Sequence, residues 1–274
     1  MRRPVAFTIV ELLIVIAIIA VLMSILVPAL RAAKEQASGA VCLVNQRGLI
    51  QPYILYTYDN RDYIVGGDTI GYQSGRHDWV DWPQNAAGAA TATSPAKLVP
   101  QDEQRGIAKG ALFKYTGSAI KVYHCPGDRR FTNSDPRANG WRSYSLPDLL
   151  DGYKPWIDQI GLGSVRKIED IPAPSDKYIF VEEAETEMGH NDRSWTFDPL
   201  GRFPVPNGWF DPLAIWHNNK STLSFGDGHA AMHAWQCETV IRHSLKGDKR
   251  FSCEIHGALC PDLRYLQLAY PRPK

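Results

Sequence analysis

The sequence lacks several of the patterns that announce chemistry. Its five cysteines, Cys42, Cys125, Cys237, Cys253 and Cys260, include no C-x-x-C pair, which argues against a zinc ribbon. No G-x-S-x-G segment is present, so the nucleophile elbow of an α/β-hydrolase is missing. The aspartates are scattered and nowhere take the regular spacing of an EF-hand loop. No internal repeat is evident. An excess of one charge is also lacking: 30 basic residues face 29 acidic ones, so no basic field marks a nucleic-acid partner.

The one extreme feature is hydrophobic. Across residues 7–30 only Thr8, Glu11, Ser24 and Pro28 interrupt an apolar run. As a helix this stretch would span roughly 36 Å at about 1.5 Å per residue, enough to cross a ~30 Å hydrocarbon core. A carboxylate inside such a segment costs about 2.5–3.5 kcal/mol on insertion scales, so Glu11 requires a compensating partner. An ordinary secretory signal has a shorter core, no acid within it and small residues at the cut; here Arg31 and Lys34 follow the run. An uncleaved single-span anchor satisfies the hydropathy equally well.

The residues Ala6-Phe7-Thr8-Ile9-Val10-Glu11-Leu12-Leu13-Ile14-Val15-Ile16-Ala17-Ile18-Ile19-Ala20 resemble the prepilin cleavage and methylation signature of type IV pilins and type II secretion pseudopilins. The resemblance implies a cut between Ala6 and Phe7 by a prepilin peptidase, with Ala6 standing where glycine is usual, and methylation of Phe7. Glu11 then becomes the fifth residue of the mature chain and pairs with the terminal amine of a neighbouring subunit. The physics agrees, since a charge in an apolar bundle needs a partner and cleavage creates an ammonium.

Past the span, Ala29, Ala32, Ala33, Ala37, Ala40, Val41, Leu43 and Val44 recur at three- and four-residue spacings among charged residues, the pattern of an amphipathic stem helix. Pro28 predicts a kink. Gln51-Pro52 predicts a stem end near Leu49, with a second helical piece over 53–59. Residues 66–106 shift to Gly, Ala, Thr, Ser and Gln and read as a long loop. A short helix is expected over 110–115, and strands over 121–128 and 177–181. Residues 222–225 and 230–235 flank Gly226-Asp227-Gly228-His229 and read as a hairpin. The expected fold is α+β and pilin-like: a leader at 1–6, a transmembrane half-helix at 7–30, a stem at 31–60, and a small antiparallel-sheet head over 61–274.

A second resemblance covers the head. Nine residues separate His217 from Asp227-Gly228, similar to the H-X9-DG signature of a group of prepilin-like proteins. Cys42-Leu43-Val44-Asn45-Gln46, Tyr58-Asp59-Asn60 with Tyr63, Cys125-Pro126-Gly127-Asp128 and the pair Glu182-Glu183 also fit, and extend the likeness to about His233. Sequence alone leaves two bridges open, Cys253–Cys260 and Cys42–Cys125; the resemblance favours Cys42–Cys125.

The chemistry of these residues divides into modest and ambitious readings. A His217–Asp227 hydrogen bond across a turn at Asn218-Asn219 is the simplest role. Strand alternation would put Asp227, His229 and His233 on one face, a conceivable metal shell, and His217, Asp227 and His229 a hydrolase centre. Ser221 or Ser224 with His217 and Asp227 supplies triad residue types. Glu182 and Glu183 should point to opposite faces, one buried against a cation and the other solvated. Trp79, Trp82, Trp209 and Trp216 suit a glycan-binding surface, and Trp79 and Trp82 equally suit a cluster pinning the long loop. The expected function is nonetheless structural: no catalytic residue, no cofactor or metal (calcium and zinc being compatible but not predicted), and no nucleic acid. The expected partners are prepilin peptidase, other pilin or pseudopilin subunits, the inner-membrane assembly platform and lipid. The expected place is the inner membrane, spanned once, with Arg2 and Arg3 keeping the N-terminus cytoplasmic and the head periplasmic or extracellular.

Overall fold

A computed structural model of the chain describes residues 8–69, 77–91, 98–130, 140–185, 191, 193–202, 208–246, 251–252, 254–255 and 258–273. Its spine is one helix, α1 (Ile9–Asp59), opened by a capping box. The Thr8 hydroxyl accepts the Glu11 N–H at 3.2 Å, and Glu11 Oε2 accepts the Thr8 N–H and hydroxyl, both at 2.8 Å. Two otherwise orphaned donors are thereby satisfied. At the far end the Asn60 side chain donates to the Tyr56 carbonyl at 2.7 Å.

Contrary to expectation, α1 does not stop near Leu49 but passes through Pro52 to Asp59. A proline inside a helix costs about 3 kcal/mol. Here Leu49, Ile50, Pro52, Tyr53 and Tyr56 are all buried against the head, and that burial outweighs the missing hydrogen bond. The buried residues Gly39, Cys42, Gln46, Leu49, Ile50, Tyr53, Tyr56 and Thr57 form one stripe. The small apolar residues that suggested amphipathicity, Ala29, Ala32, Ala33, Ala37, Ala40, Val41 and Val44, lie outside it and are exposed.

The head contains helices α2 (Pro100–Lys109), α3 (Lys154–Ile160), α4 (Glu238–Lys246) and α5 (Pro261–Ala269), and strands β1 (Tyr144–Ser145), β2 (Tyr178–Glu182), β3 (Gly208–Trp209), β4 (Lys220–Phe225), β5 (Ala230–Ala234), β6 (Phe251–Ser252), β7 (Glu254–Ile255) and β8 (Ala258–Leu259). The main sheet is antiparallel in the order β1-β2-β4-β5; β3 pairs with β6, and β7 with β8. The α+β pilin-like expectation holds, as do the strand near 177–181 and the hairpin. The expected strand over 121–128 does not form: residues Ile120–Tyr123 make a 3-10 turn, and the chain then turns inward at Cys125.

Both faces of the sheet are covered, which is why β2 is buried at every position. One core lies on the α1 side, with Tyr53, Trp79, Tyr123, Ile179 and Phe180. The other holds Tyr178, Val181, Trp195, Phe197, Leu223 and Tyr270, closed by Leu263 and Leu266 of α5. A register shift between Tyr178 and Phe180 lets two consecutive residues, Ile179 and Phe180, face α1. Alternation then resumes, so that Glu182 faces α1 and Glu183 the opposite way.

Part of the stretch read as a long loop is helical. Pro100 at the first turn, with Asp102 and Glu103 beside it, starts α2. Trp79 is fully buried, stacked on Tyr123 and set edge-on to Phe180 at 5.9 and 5.3 Å between ring centroids.

Candidate functional site

Ala6 and Phe7, the expected processing point, lie outside the described residues. Glu11 sits at the start of α1, exposed, with Oε2 engaged by Thr8. Among the described residues α1 is one helix long and apolar enough to cross a membrane. Its most apolar window has mean hydropathy 3.1 and none of it is buried against the rest of the chain.

The head signature is explained by how the β4–β5 hairpin sits on α1. Asn218 and Asn219 adopt positive φ, 53° and 60°, a conformation asparagine tolerates better than most residues, and turn the chain from His217 into β4. Alongside His217, the Ser38 hydroxyl lies 3.2 Å from Nδ1. Midway, Gln46 Nε2 donates to the Thr222 carbonyl at 3.0 Å. At the tip, Gln51 Nε2 donates to the Gly228 carbonyl at 3.1 Å. Gly228 has φ +96°, which favours glycine, and a Cβ there would stand 2.8 Å from Gln51 Nε2 and displace that amide.

His217 and Asp227 therefore do not meet. Asp227 lies at the exposed hairpin tip, where Oδ1 accepts the His229 N–H at 3.1 Å and lies 2.6 Å from its Nδ1. The His229 ring stacks on Phe225 at 4.3 Å. His233 is elsewhere, stacked on Tyr265 at 3.9 Å with Asp262 Oδ1 4.0 Å from its Nε2. The metal shell of Asp227, His229 and His233 and the hydrolase centre of His217, Asp227 and His229 are thus not assembled, because the turn breaks strand alternation. Nor is a serine triad: Ser221 donates to the Ala214 carbonyl and accepts from Trp235 Nε1 at 2.8 Å, while His217 faces away from it.

His217 instead enters a buried cluster that sequence spacing concealed. Its Nε2 lies 3.2 Å from Cys125 Sγ and 3.2 Å from Glu182 Oε1. Cys42 Sγ donates to the same Oε1 at 2.5 Å and lies 2.9 Å from the Tyr144 hydroxyl and 3.1 Å from that of Thr222. Glu182 Oε2 accepts the Thr222 N–H at 2.8 Å. The Gly127 N–H points at Cys125 Sγ from 3.3 Å; a Cβ on Gly127 would stand 3.0 Å from the His217 ring and from Trp216, so the Cys-Pro-Gly turn packs closely against both. Burial pushes the Cys42 thiol well above its usual pKa and Cys125 up to about 11. Burial works against a charged His217, but hydrogen bonds to Cys42 and Glu182, with the Glu182 charge, hold its proton up to about 10.

Other expectations are corrected. Cys42 and Cys125 are free thiols, and the bridge joins Cys237 to Cys260; Cys260 is thereby taken from Cys253, which lies outside the described residues. Neither Glu182 nor Glu183 is solvated. Both are fully buried, and Glu183 accepts from Ser145 beside Glu185 and Asp211. Burial, with those two carboxylates, pushes the Glu183 pKa well up. The glycan surface loses Trp79 to the core. Trp82 is half-buried with Nε1 donating to the Thr91 carbonyl at 2.7 Å, and Trp216 is half-buried with the Arg130 guanidinium 5.6 Å from its ring centroid.

Comparison with known proteins adds a partial likeness. Over 63 residues, 23% of this chain, the sequence is 41% identical to the type IV wide pilus major component PilA4 of Thermus thermophilus. The chain spans about half the length of that relative, 48%. No family model and no solved structure matches. The chain is thus similar in part to a type IV pilin, and its long apolar N-terminal helix with a four-stranded antiparallel head is a pilin-like architecture.

Proposed function

We propose that this chain is a structural, non-enzymatic subunit of a pilus-like or type II secretion filament, a pseudopilin or minor pilin. Residues 1–6 are a leader removed between Ala6 and Phe7 by a prepilin peptidase, which methylates Phe7. Residues 7–30 hold the subunit in the inner membrane, 31–60 form the stem, and 61–274 form a head on the far side from the cytoplasm. Arg2 and Arg3 keep the leader cytoplasmic. The assembly platform and other pilin subunits are its partners.

The observation that carries this reading is the division of α1. Residues 9–30 are exposed along their whole length and present a nearly continuous apolar surface, and a surface of that size marks a membrane or protein contact. The exposed stripe of Ala33, Ala37, Ala40, Val41 and Val44 continues it above the membrane, where neighbouring stems would pack. The partial likeness to a type IV pilin supports the same assignment. Glu11 sits exposed at the helix start, with Oε2 capping its own helix through Thr8, and in the filament its partner is a neighbour's new N-terminal ammonium. Such a pair offsets the cost of a charge in an apolar bundle.

Intact mass of the protein purified from membranes tests this. The expected mass lacks residues 1–6 and carries one added methyl group. A full-length, unmethylated chain from cells with an active prepilin peptidase sinks the reading.

A further inference from the structure

We propose that Cys42, Cys125, Glu182 and His217 form a zinc site that fastens the stem helix to the head. The inference is independent of filament assembly. Its first ground is convergence. The four residues come from α1, from the turn after Tyr123, from the end of β2 and from the loop before β4, and their donor atoms all lie within 4.8 Å of one another. All four are buried. Two sulfurs, an imidazole nitrogen and a carboxylate oxygen are the ligand types zinc takes in closed tetrahedral sites, and the thiolates select against calcium and magnesium.

The second ground is size. With zinc–sulfur bonds near 2.3 Å and zinc–nitrogen or –oxygen bonds near 2.0 Å, the edges of a tetrahedron are roughly 3.3–3.8 Å. The Cys125–His217 and His217–Glu182 edges, each 3.2 Å, already approach this. The Cys42–Glu182 edge is 2.5 Å and must open by about 1 Å, a movement within reach of two side-chain rotations.

The third ground is what surrounds the donors. Ser38 engages Nδ1 of His217, leaving Nε2 directed at the cluster, the outer-shell arrangement that orients a ligating histidine. The Gly127 N–H faces Cys125 Sγ, hydroxyls of Tyr144 and Thr222 face Cys42 Sγ, and the Thr222 N–H holds the second Glu182 oxygen. Each prospective anion therefore has a donor already aimed at it. Zinc binding expels both thiol protons and the proton on His217 Nε2; the two thiolates then match the charge of the ion, and the Glu182 carboxylate leaves one negative charge beside the Thr222 N–H. Ser38, Gly127, Trp216 and Asn218, which surround His217, also line an open groove of about 790 Å³ on the stem side, the face from which an ion would have the least protein to cross.

The test uses the full chain purified in detergent without chelator. Elemental analysis should find about one zinc per chain, and the protein reloaded with cobalt(II) should show thiolate-to-cobalt charge-transfer absorption. Cys125→Ser and Glu182→Gln should each lower bound zinc several-fold, with near-ultraviolet circular dichroism reporting whether the variant is folded. The wild-type measurements do not depend on the variants folding. A wild-type protein that holds no zinc, takes up none when it is added and gives no cobalt absorption overturns the proposal. So does peptide mapping that finds Cys42 joined to Cys125 in the folded protein.

Discussion

Replacing Gly228 with alanine separates a backbone role for the Asp-Gly signature from a ligand role. Two costs follow from the structure. At φ +96° an L-residue is strained by roughly 1–2 kcal/mol. The new methyl group would lie 2.8 Å from Gln51 Nε2, so that side chain must withdraw, forfeiting its hydrogen bond to the Gly228 carbonyl, worth about 1 kcal/mol. Gly228→Ala should therefore lose about 2–3 kcal/mol of stability. Gln51→Ala alone should lose about 1 kcal/mol. In the Gln51→Ala background the glycine change should cost only its strain, so the double-mutant cycle should return a coupling near 1 kcal/mol. Asp227→Asn, at the exposed tip, should stay within about 0.5 kcal/mol. Urea unfolding of the full chain in detergent, followed by tryptophan fluorescence, provides the measurement. A Gly228→Ala variant as stable as wild type, or an Asp227→Asn variant more damaged than it, would refute the reasoning.

Two further predictions concern the cores. Trp79→Ala should cost about 3–5 kcal/mol, the usual range for truncating a buried aromatic, and the same unfolding assay reads it; a near-neutral result would put Trp79 back on the surface. Burial, only partly offset by Asp262, lowers the pKa of His233 below its ordinary value of 6.5. With the folded value depressed, both states are neutral above about pH 6.5 and that stability is intact. As pH falls below this, the unfolded chain takes up the proton first and stability is lost. His233→Gln should flatten that part of the stability–pH profile, and an unchanged slope counts against the assignment.

What was legible in the sequence was what local patterning determines. Hydropathy marks the first half of α1, and Gly226-Asp227-Gly228 between two β-prone runs marks the hairpin. The misreadings come where tertiary contact overrides a local rule. Pro52 announces a break that the packing of Leu49, Tyr53 and Tyr56 cancels. Lys121-Val122-Tyr123 has strand composition, yet the chain there turns to carry Cys125 inward, and no periodicity encodes that. The buried cluster is the extreme case, since Cys42 lies 140 positions from Glu182 and Cys125 lies 92 from His217. A signal was present all the same. The cluster takes one residue from each of four short segments that the resemblance had already singled out: Cys42-Leu43-Val44-Asn45-Gln46, Cys125-Pro126-Gly127-Asp128, Glu182-Glu183 and the histidine of H-X9-DG. Four segments that each bring one metal-competent side chain are better read together than one at a time.

The same geometry accounts for the nine-residue spacing between His217 and Asp227-Gly228. The hairpin meets α1 at Ser38, at Gln46 and at Gln51 through His217, Thr222 and Gly228 in turn, so β4 climbs beside the helix in the same direction. From Ser38 to Gln51 the helix rises about 20 Å at 1.5 Å per residue. The six residues of β4 cover about 20 Å at 3.3 Å per residue, with the Asn218-Asn219 turn below and the Gly-Asp-Gly turn above. A hairpin longer or shorter by one residue could not seat His217 beneath Ser38 and the Gly228 carbonyl opposite Gln51 at once, and the side chains of β4 would exchange faces. The spacing is thus a length matched to the stem. It clamps the head to the upper part of α1 and leaves the residues below Ser38 bare for contacts outside the subunit.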